Sequence, residues 1–500
     1  MFKVTDLDLA IASPLLILFL FSLIPITLRL FRKSGEQSVN LSAGYGILGF
    51  LSAIGAVLAN KGIYSYAFRR GGLLEGSLIH DGIYNVGAIL ILLLGIITVL
   101  LLRENICTMT ERFAEKVFLV MNAAVGMLIV LSANDLIVMF IGIETMSLAI
   151  YILIALSREE FLAKEAAFKY FILGSFATAI FLLGVAYIFG ATQTTMLSQI
   201  MEVSAELFKT SSLFFIGVIL VIIGLCFKVS VFPFHAWTPD VYQGAPTPIT
   251  TFMAAGVKLV GFVALLRFIL SLTGIEKVPQ MLNLLQWLAV FTMLAGNAAA
   301  VVQDNLKRVL AYSSVAHTGY LLIGIVAVAM GRFPVDSATG FLFYLYSYFF
   351  MTIGSFAIIG LFESHVGKAV TIDDLKGLAT RHPYYALIFS IFLLSLAGIP
   401  PLLGFFGKFY LFSVAVQSDL YWLAFWGVMS SVIGAYYYLR PIVYMYMVDG
   451  RAIVLPKQYM TKLILWFSAA AITALGLASA PIYKGIERSI KKVFSEQTSN

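Results

Sequence analysis

Charge is scarce in this sequence. Asp, Glu, Lys and Arg together make up 12% of its 500 residues, against about 25% in an ordinary soluble domain, so a water-facing surface of normal polarity is excluded. Cysteine is scarcer still. Cys107 and Cys226 are the only two and lack CxxC spacing, which gives no basis for an iron–sulfur cluster or a disulfide framework. Five histidines without a His-Glu-x-x-His run do not assemble a metal site. A Gly-x-Gly-x-x-Gly turn after a strand and a Gly-x-x-x-x-Gly-Lys loop are absent too, so dinucleotide and phosphate-loop chemistry find no support. Basic patches interleaved with aromatics, the signature of nucleic-acid binding, are also missing.

Apolar residues are abundant instead: 60% of the chain is hydrophobic, with 41 Phe and a mean hydropathy of +0.95. Windows of about 20 apolar residues, enough to cross a hydrocarbon core about 30 Å thick, recur about fourteen times. The expected fold is an all-α polytopic membrane protein forming a single transmembrane domain over residues 1–500. Helices 1 to 3 fall within 10–102, one five-helix group within 115–271, a second within 281–446, helix 14 at 459–481, and a short amphipathic tail at 482–500. The first apolar segment is too long for a signal h-region and has no small-residue cleavage site, so it reads as a retained helix. Alternate loops carry unequal positive charge: the set with Arg32, Lys33, Lys307, Arg308, Lys376 and Arg381 outweighs the other. By the positive-inside rule those loops are cytoplasmic and both termini lie outside. The basic tail of Lys484, Arg488, Lys491 and Lys492 argues the other way and is discounted as a surface helix.

Against this background one charge stands out. Lys228 lies in Gly-Leu-Cys-Phe-Lys-Val-Ser-Val-Phe-Pro, residues 224–233, where an ammonium costs about 2.5–3.5 kcal/mol even on lenient insertion scales. Pro233 deprives the Val229 carbonyl of its helical partner, so a titratable cation sits one turn before an expected break. Transporters built from inverted repeats carry such breaks in pairs. A second one is present: Ser-Leu-Ala-Gly-Ile-Pro-Pro-Leu-Leu-Gly-Phe-Phe-Gly-Lys-Phe, residues 395–409, places Pro400, Pro401 and Gly404 before Lys408. Lys258 follows Lys228 at nearly the spacing at which Arg440 follows Lys408. Two inverted five-helix repeats, with helices 7 and 12 broken, account for this echo.

Other intramembrane polar residues have two readings each. Glu144 is the one carboxylate placed clearly within a span: either the charge partner of a buried lysine or a neutral acid packing helices. Burial penalises the charged form of an acid and of an amine alike, while their attraction restores it, so pairing with Glu144 decides whether Lys228 keeps its proton. Lys258 relays protons or snorkels to an interface. His317 is a relay near neutral pH or a satisfied core histidine. Lys307 reads as interfacial or at a proton inlet, and His235 as lining the break or holding a rigid turn. Arg440 and Arg267 lie closer to helix ends and snorkel more readily, Arg440 reading equally as a functional cation and Arg267 as structural.

The run Lys-Val-Ser-Val-Phe-Pro-Phe-His-Ala-Trp-Thr-Pro-Asp-Val-Tyr-Gln-Gly-Ala-Pro-Thr-Pro-Ile-Thr, residues 228–250, resembles the signature of the antiporter-like subunits of respiratory complex I. Asp-Val-Tyr-Gln-Gly-Ala-Pro-Thr-Pro, and Gly-Phe-Phe-Gly-Lys-Phe-Tyr with Lys408, resemble the N type most; the M type is expected to carry Glu there, and the L type to add a long lateral helix. The resemblance spans essentially the whole chain. It implies a proton-translocating subunit in which Glu144 and Lys228 are coupled, Lys258 connects, His317 bridges the halves and Lys408 is terminal. It also implies no redox centre in this chain, with flavin, iron–sulfur clusters and quinone in partner subunits, and as partners further antiporter-like and small helical membrane subunits in the bacterial inner membrane. Helix 10 has no acid to mirror Glu144, which favours one route through both halves. A multisubunit cation/proton antiporter, distinguishable by sodium-dependent transport, and a membrane-bound hydrogenase share the expected fold. A purely structural scaffold is the remaining rival.

Overall fold

The computed structural model describes residues 6–31, 36–60, 76–104, 112–156, 161–366, 369–450, 455 and 458–498. Arg32, Lys33 and Cys107 lie outside them. The described residues are helical and contain no β-strand, only isolated bridges. In hydrocarbon each backbone amide must be satisfied within its own segment, and only a helix does that without a closed barrel.

The first helices are α1 (Asp6–Phe31), α2 (Glu36–Ala59), α3 (Gly82–Glu104), α4 (Phe113–Ser132), α5 (Leu136–Ala155), α6 (Phe161–Thr192), α7 (Leu197–Thr210) and α8 (Ser212–Val229). A short α9 (Trp237–Gly244) and α10 (Thr247–Phe252) follow the first break; α10 runs through a π-helical turn, Met253–Val257, into α11 (Lys258–Leu270). Next come α12 (Pro279–Val301), α13 (Leu306–Ala329), α14 (Pro334–Val366), α15 (Leu378–Arg381), α16 (Pro383–Ala397), α17 (Leu403–Gln417), α18 (Tyr421–Met447), α19 (Tyr459–Leu477) and α20 (Ser479–Thr498). Twelve segments among the described residues are long and apolar enough to cross a membrane, and α16 and α17 are shorter apolar helices. Counting that interrupted pair as one span and adding the 27-residue α18 gives the number expected from the sequence.

One helix was not expected. The 14-residue α7 is only half apolar, as suits an element lying along a surface rather than through the bilayer. It packs on α6, α8 and α11, and the Ser204 hydroxyl donates to the Thr273 carbonyl at 3.1 Å. Helix 14 is tied to the rest by charge. The Glu104 carboxylate at the end of α3 accepts from the amides of Met460 and Thr461 at 2.7 Å each, where the start of α19 carries positive potential.

The two halves share local features at matching positions. The Asp135 side chain caps α5, accepting from the amides of Ile137 and Val138; Asn305 caps α13, accepting from the Arg308 amide. A Cβ on Gly126 would meet the Met146 amide at 2.5 Å, and one on Gly296 would meet the Ala316 amide at the same distance. These glycines let α4 close on α5 and α12 on α13. The same number of residues separates Gly126 from Gly296, Asp135 from Asn305, and Met146 from Ala316.

Arg267 has the structural role expected of it, held inside the protein rather than at its surface. Its guanidinium is buried, donating to the Asp81 carboxylate at 3.0 and 2.9 Å through two nitrogens and to the Leu131 carbonyl at 3.0 Å through Nε. Asp81 comes to it from the segment before α3, so the arginine need not reach solvent, and the pair joins α3, α4 and α11. Removing one partner of such a pair costs about 3–5 kcal/mol because the other charge stays buried. Asp81→Ala is therefore expected to lower the thermal midpoint of the purified chain in detergent, and Asp81→Ala with Arg267→Met to recover most of the loss. An unchanged midpoint in the single variant would contradict the assignment.

Candidate functional site

Both breaks fall where the prolines demand, and each contains a cis X–Pro peptide, Phe232-Pro233 and Pro400-Pro401. Helix α8 ends at Val229, with Ser230 left-handed at φ 67°. Its last carbonyls find partners elsewhere in the fold. Trp237 Nε1 donates to the Phe227 carbonyl at 3.2 Å, and the Thr318 hydroxyl on α13 donates to the Val229 carbonyl at 2.7 Å. The Phe232 amide is taken by the Thr292 hydroxyl on α12 at 3.0 Å. Side chains of the second half thus satisfy the break in the first.

At the second break Gly398, at φ 90°, closes α16. Here the freed carbonyl meets the site lysine itself: Lys408 Nζ donates to Ala397 O at 2.9 Å and to Ser431 Oγ at 2.8 Å. Lys408 follows its break whereas Lys228 precedes its own, so the two are not in equivalent local positions.

Lys228, Lys258, His317 and Lys408 are each at most 6% exposed. Lys228 donates to the Ser147 hydroxyl on α5 at 3.0 Å. Lys258, directly after the π-helical turn, donates to both the carbonyl and the hydroxyl of Ser314, and its ammonium lies 5.1 Å from the Tyr348 ring centre. Thr318 links these two positions, because its hydroxyl reaches Val229 O and, at 3.2 Å, Ser314 O. His317 sits between two tyrosines, Nδ1 2.6 Å from the Tyr344 hydroxyl and Nε2 3.0 Å from that of Tyr438. Tyr438 also bonds Ser313 and stacks near Tyr437 with ring centres 4.4 Å apart. From Tyr437 the chain of bonds continues to Asn297 at 2.8 Å, then to Tyr320 and Ser430 at 3.2 and 2.6 Å. Lys408 lies over the Tyr320 ring at 5.1 Å.

Glu144 sits differently. It is half-buried on α5, one turn from Ser147, and no ion pair closes between it and Lys228. Its Oε1 is buried and finds no hydrogen-bond partner among the described residues. By the matching positions noted above, Ser314 stands where Glu144 stands, and His317 where Ser147 stands.

One sequence expectation needs correction. Arg440 is no counterpart of buried Lys258: it lies two turns before the end of α18, near the surface, and pairs with exposed Asp304 at 2.8 Å. Lys307 stands in the first turn of α13, buried within the protein and paired with Glu363 at 3.0 Å. His235 occupies the turn at the first break, tilted against the Phe232 ring, off the track of the other four. Sequence reasoning missed Ser147, Ser314, Thr318, Asn297 and the tyrosines. A usable signal was present: Tyr344 and Tyr348 recur at i, i+4 in an apolar span, as do Ser313 and His317.

Residues 133–434, which contain Glu144, the three lysines and His317, match the family described as "NADH:quinone oxidoreductase/Mrp antiporter, TM". A Bdellovibrio bacteriovorus protein described as NADH-quinone oxidoreductase subunit N is 49% identical over 97% of this chain and 98% of its own length. The chain belongs to the NADH-quinone oxidoreductase subunit N family. A chain of respiratory complex I from Thermus thermophilus, 30% identical, superposes with a TM-score of 0.78 over 94% of this chain and 98% of that one. A chain of the archaeal membrane-bound sulfane sulfur reductase superposes at 0.83 over 98% and 97%, but at 23% identity that likeness is one of fold. As a subunit-N family member the chain is a multi-pass membrane protein.

Asn297 is the most heavily used polar side chain of the track. Asn297→Leu removes the acceptor of the Tyr437 hydroxyl, at about 1–3 kcal/mol for an orphaned group, and takes one partner from Tyr320, leaving it Ser430. Thermal melting in detergent is expected to show a larger loss for Asn297→Leu than for Tyr437→Phe; equal midpoints would contradict the bonding described.

Proposed function

We propose that the chain is the proton-translocating membrane subunit of a respiratory NADH:quinone oxidoreductase, moving protons while partner subunits carry the flavin, iron–sulfur clusters and quinone. The observation that carries the reading is that three lysines and a histidine, all buried, lie along polar side chains joined by hydrogen bonds and ring contacts between two interrupted helices. Such cations are expensive at membrane depth, and groups of this kind mark ion pathways.

The proton chemistry follows from the partners. With Glu144 apart from Lys228, the ammonium has a neutral hydroxyl at Ser147 as its contact and a carboxylate oxygen without a partner close by on the same helix. Closing that gap holds the proton on Lys228; opening it releases the proton toward Ser314 and Lys258, then past His317 and its tyrosines to Lys408. At each hydroxyl or imidazole one proton arrives and another leaves, so the relay returns to its starting state. The energies match. Moving one charge against 100 mV takes about 2.3 kcal/mol, which a change of less than two pKa units in one lysine supplies at about 1.36 kcal/mol each.

The chain sits in the inner membrane with its more positive loops cytoplasmic and both termini outside, beside further antiporter-like and small helical subunits. The names of the subunit-N relatives favour this reading over a free cation/proton antiporter, which would use the same track. In vesicles containing the reconstituted complex, Lys228→Ala and Glu144→Ala are each expected to cut proton pumping by about tenfold or more, as loss of a proton-transfer group does. Assembly, checked on native gels, should survive. Assembled complexes that pump at the normal rate would return the chain to the status of a scaffold.

A further inference from the structure

We propose that the buried Lys307–Glu363 pair is a proton inlet that feeds Lys258 directly, independently of Lys228. The inference rests on the reading of the chain as a proton-transfer subunit and names a second way into the track. Lys307 opens α13 and Glu363 lies near the end of α14, the two helix ends flanked by the loops read as cytoplasmic. The ammonium donates to Glu363 Oε2 at 3.0 Å and to the Ala245 carbonyl at 3.0 Å, with Gln243 O at 3.5 Å. The pair is unevenly covered: the lysine side chain is 6% exposed and the glutamate 20%. Water therefore meets the carboxylate first.

A structural cap is the plainer reading, because an ammonium at the end of α9 satisfies its last carbonyls by itself. That reading has no use for Glu363. A carboxylate set into this wall needs its own donors, and it takes one from the Thr247 hydroxyl besides Lys307, a cost that capping does not require. The other charges at this end satisfy one another: Asp240 accepts from Arg308 at 2.9 Å and from Lys169 at 2.7 Å, and Lys169 also meets Glu165 at 2.8 Å. They leave Lys307 and Glu363 as the inner pair.

Polar groups lead inward from it. Tyr242 is adjacent to Gln243 on α9, and Tyr242 and Tyr348 both direct their hydroxyls at Ser314. Ser314 binds Lys258 through its hydroxyl and carbonyl. Along α13, Lys307 and Ser314 are two turns apart, roughly 10 Å at 1.5 Å per residue. On α14 the Thr352 hydroxyl lies between Glu363 and Tyr348, bonded to the Tyr348 carbonyl at 2.7 Å.

In the closed pair the lysine holds Glu363 as a carboxylate. When they part, the carboxylate takes a proton from water at this face. The proton passes through the Tyr242 and Ser314 hydroxyls, each accepting one and releasing one, and ends on the neutral amine of Lys258. Lys258 becomes an ammonium, and Glu363 returns to the carboxylate that re-pairs with Lys307. One proton enters and no other group changes state.

The test uses the intact complex in vesicles, comparing Glu363→Gln, Glu363→Asp, Tyr242→Phe and Lys258→Ala for assembly, quinone reduction and proton pumping. Glu363→Gln and Tyr242→Phe are expected to assemble and to lose pumping by about tenfold, while Glu363→Asp recovers most of it. A structural ion pair would also favour Asp over Gln, so Tyr242→Phe, which leaves the Lys307–Glu363 pair intact, separates the two readings. Should Glu363→Gln fail to assemble, Tyr242→Phe decides alone, since it removes one hydroxyl and no charge. Normal pumping in Tyr242→Phe or Glu363→Gln, with Lys258→Ala inactive, overturns the inlet and leaves the broader function standing. Normal pumping in Lys258→Ala as well overturns both.

Discussion

A cation held inside a bilayer must find its acceptors within the protein, and here it finds them where helices are severed or widened. An intact helix has no spare carbonyls, because each accepts from the amide four residues on. Breaking α16 frees Ala397 O, which Lys408 takes. The π-helical turn before Lys258 departs from regular bonding at the point where that lysine turns toward Ser314, in keeping with the tendency of such turns to occur at functional positions. Pro233 frees Val229 O, and there the acceptor goes to Thr318 rather than to Lys228. Interruption and charge lie together, but the lysines use the breaks differently. Lys408 takes a carbonyl that its break frees, whereas Lys228 and Lys258 take Ser147 and Ser314 from neighbouring helices. Without the Thr292 and Thr318 hydroxyls the first break would be unsatisfied.

Three kinds of acceptor meet the buried lysines, and each has its own consequence. A neutral hydroxyl, as Ser147 gives Lys228, solvates an ammonium without countering its charge. A backbone carbonyl adds a fixed dipole that cannot itself titrate, as for Lys408. A carboxylate balances the charge, as Glu363 does for Lys307. The four buried groups of the track meet the first two kinds, whereas the full ion pairs lie towards the ends of the bundle: Arg267–Asp81 joins α3, α4 and α11, and Lys307–Glu363 stands where α9, α13 and α14 meet.

Much of this was legible in the sequence because expense is legible. Lys228, Lys258 and Lys408 stand out since nothing in packing explains an ammonium in an apolar window, and Pro233 and Pro400 mark the breaks from backbone geometry alone. What completes each feature comes from far along the chain and left no local trace. The amide of Phe232 is satisfied by Thr292, and the carbonyl of Val229 by Thr318, residues that read as ordinary threonines in ordinary spans. Tyrosine was undervalued for a similar reason: its ring counts as apolar bulk in a hydropathy window, yet the hydroxyls of Tyr344, Tyr437 and Tyr438 carry the polar connection around His317. Arg267 and Lys307 were placed near helix ends, but nothing local named the partners, Asp81 and Glu363, that draw them inward.

The Thr318–Val229 bond has an implication for how the chain came to be one piece. If two similar halves once existed as separate proteins, each needed its own means of closing the severed helix. In this molecule the second half meets the first half's break with two hydroxyls, Thr292 and Thr318, and the latter also touches the seat of Lys258. The first half thus leans on the second, so a split version would be expected to work only when both fragments are made together.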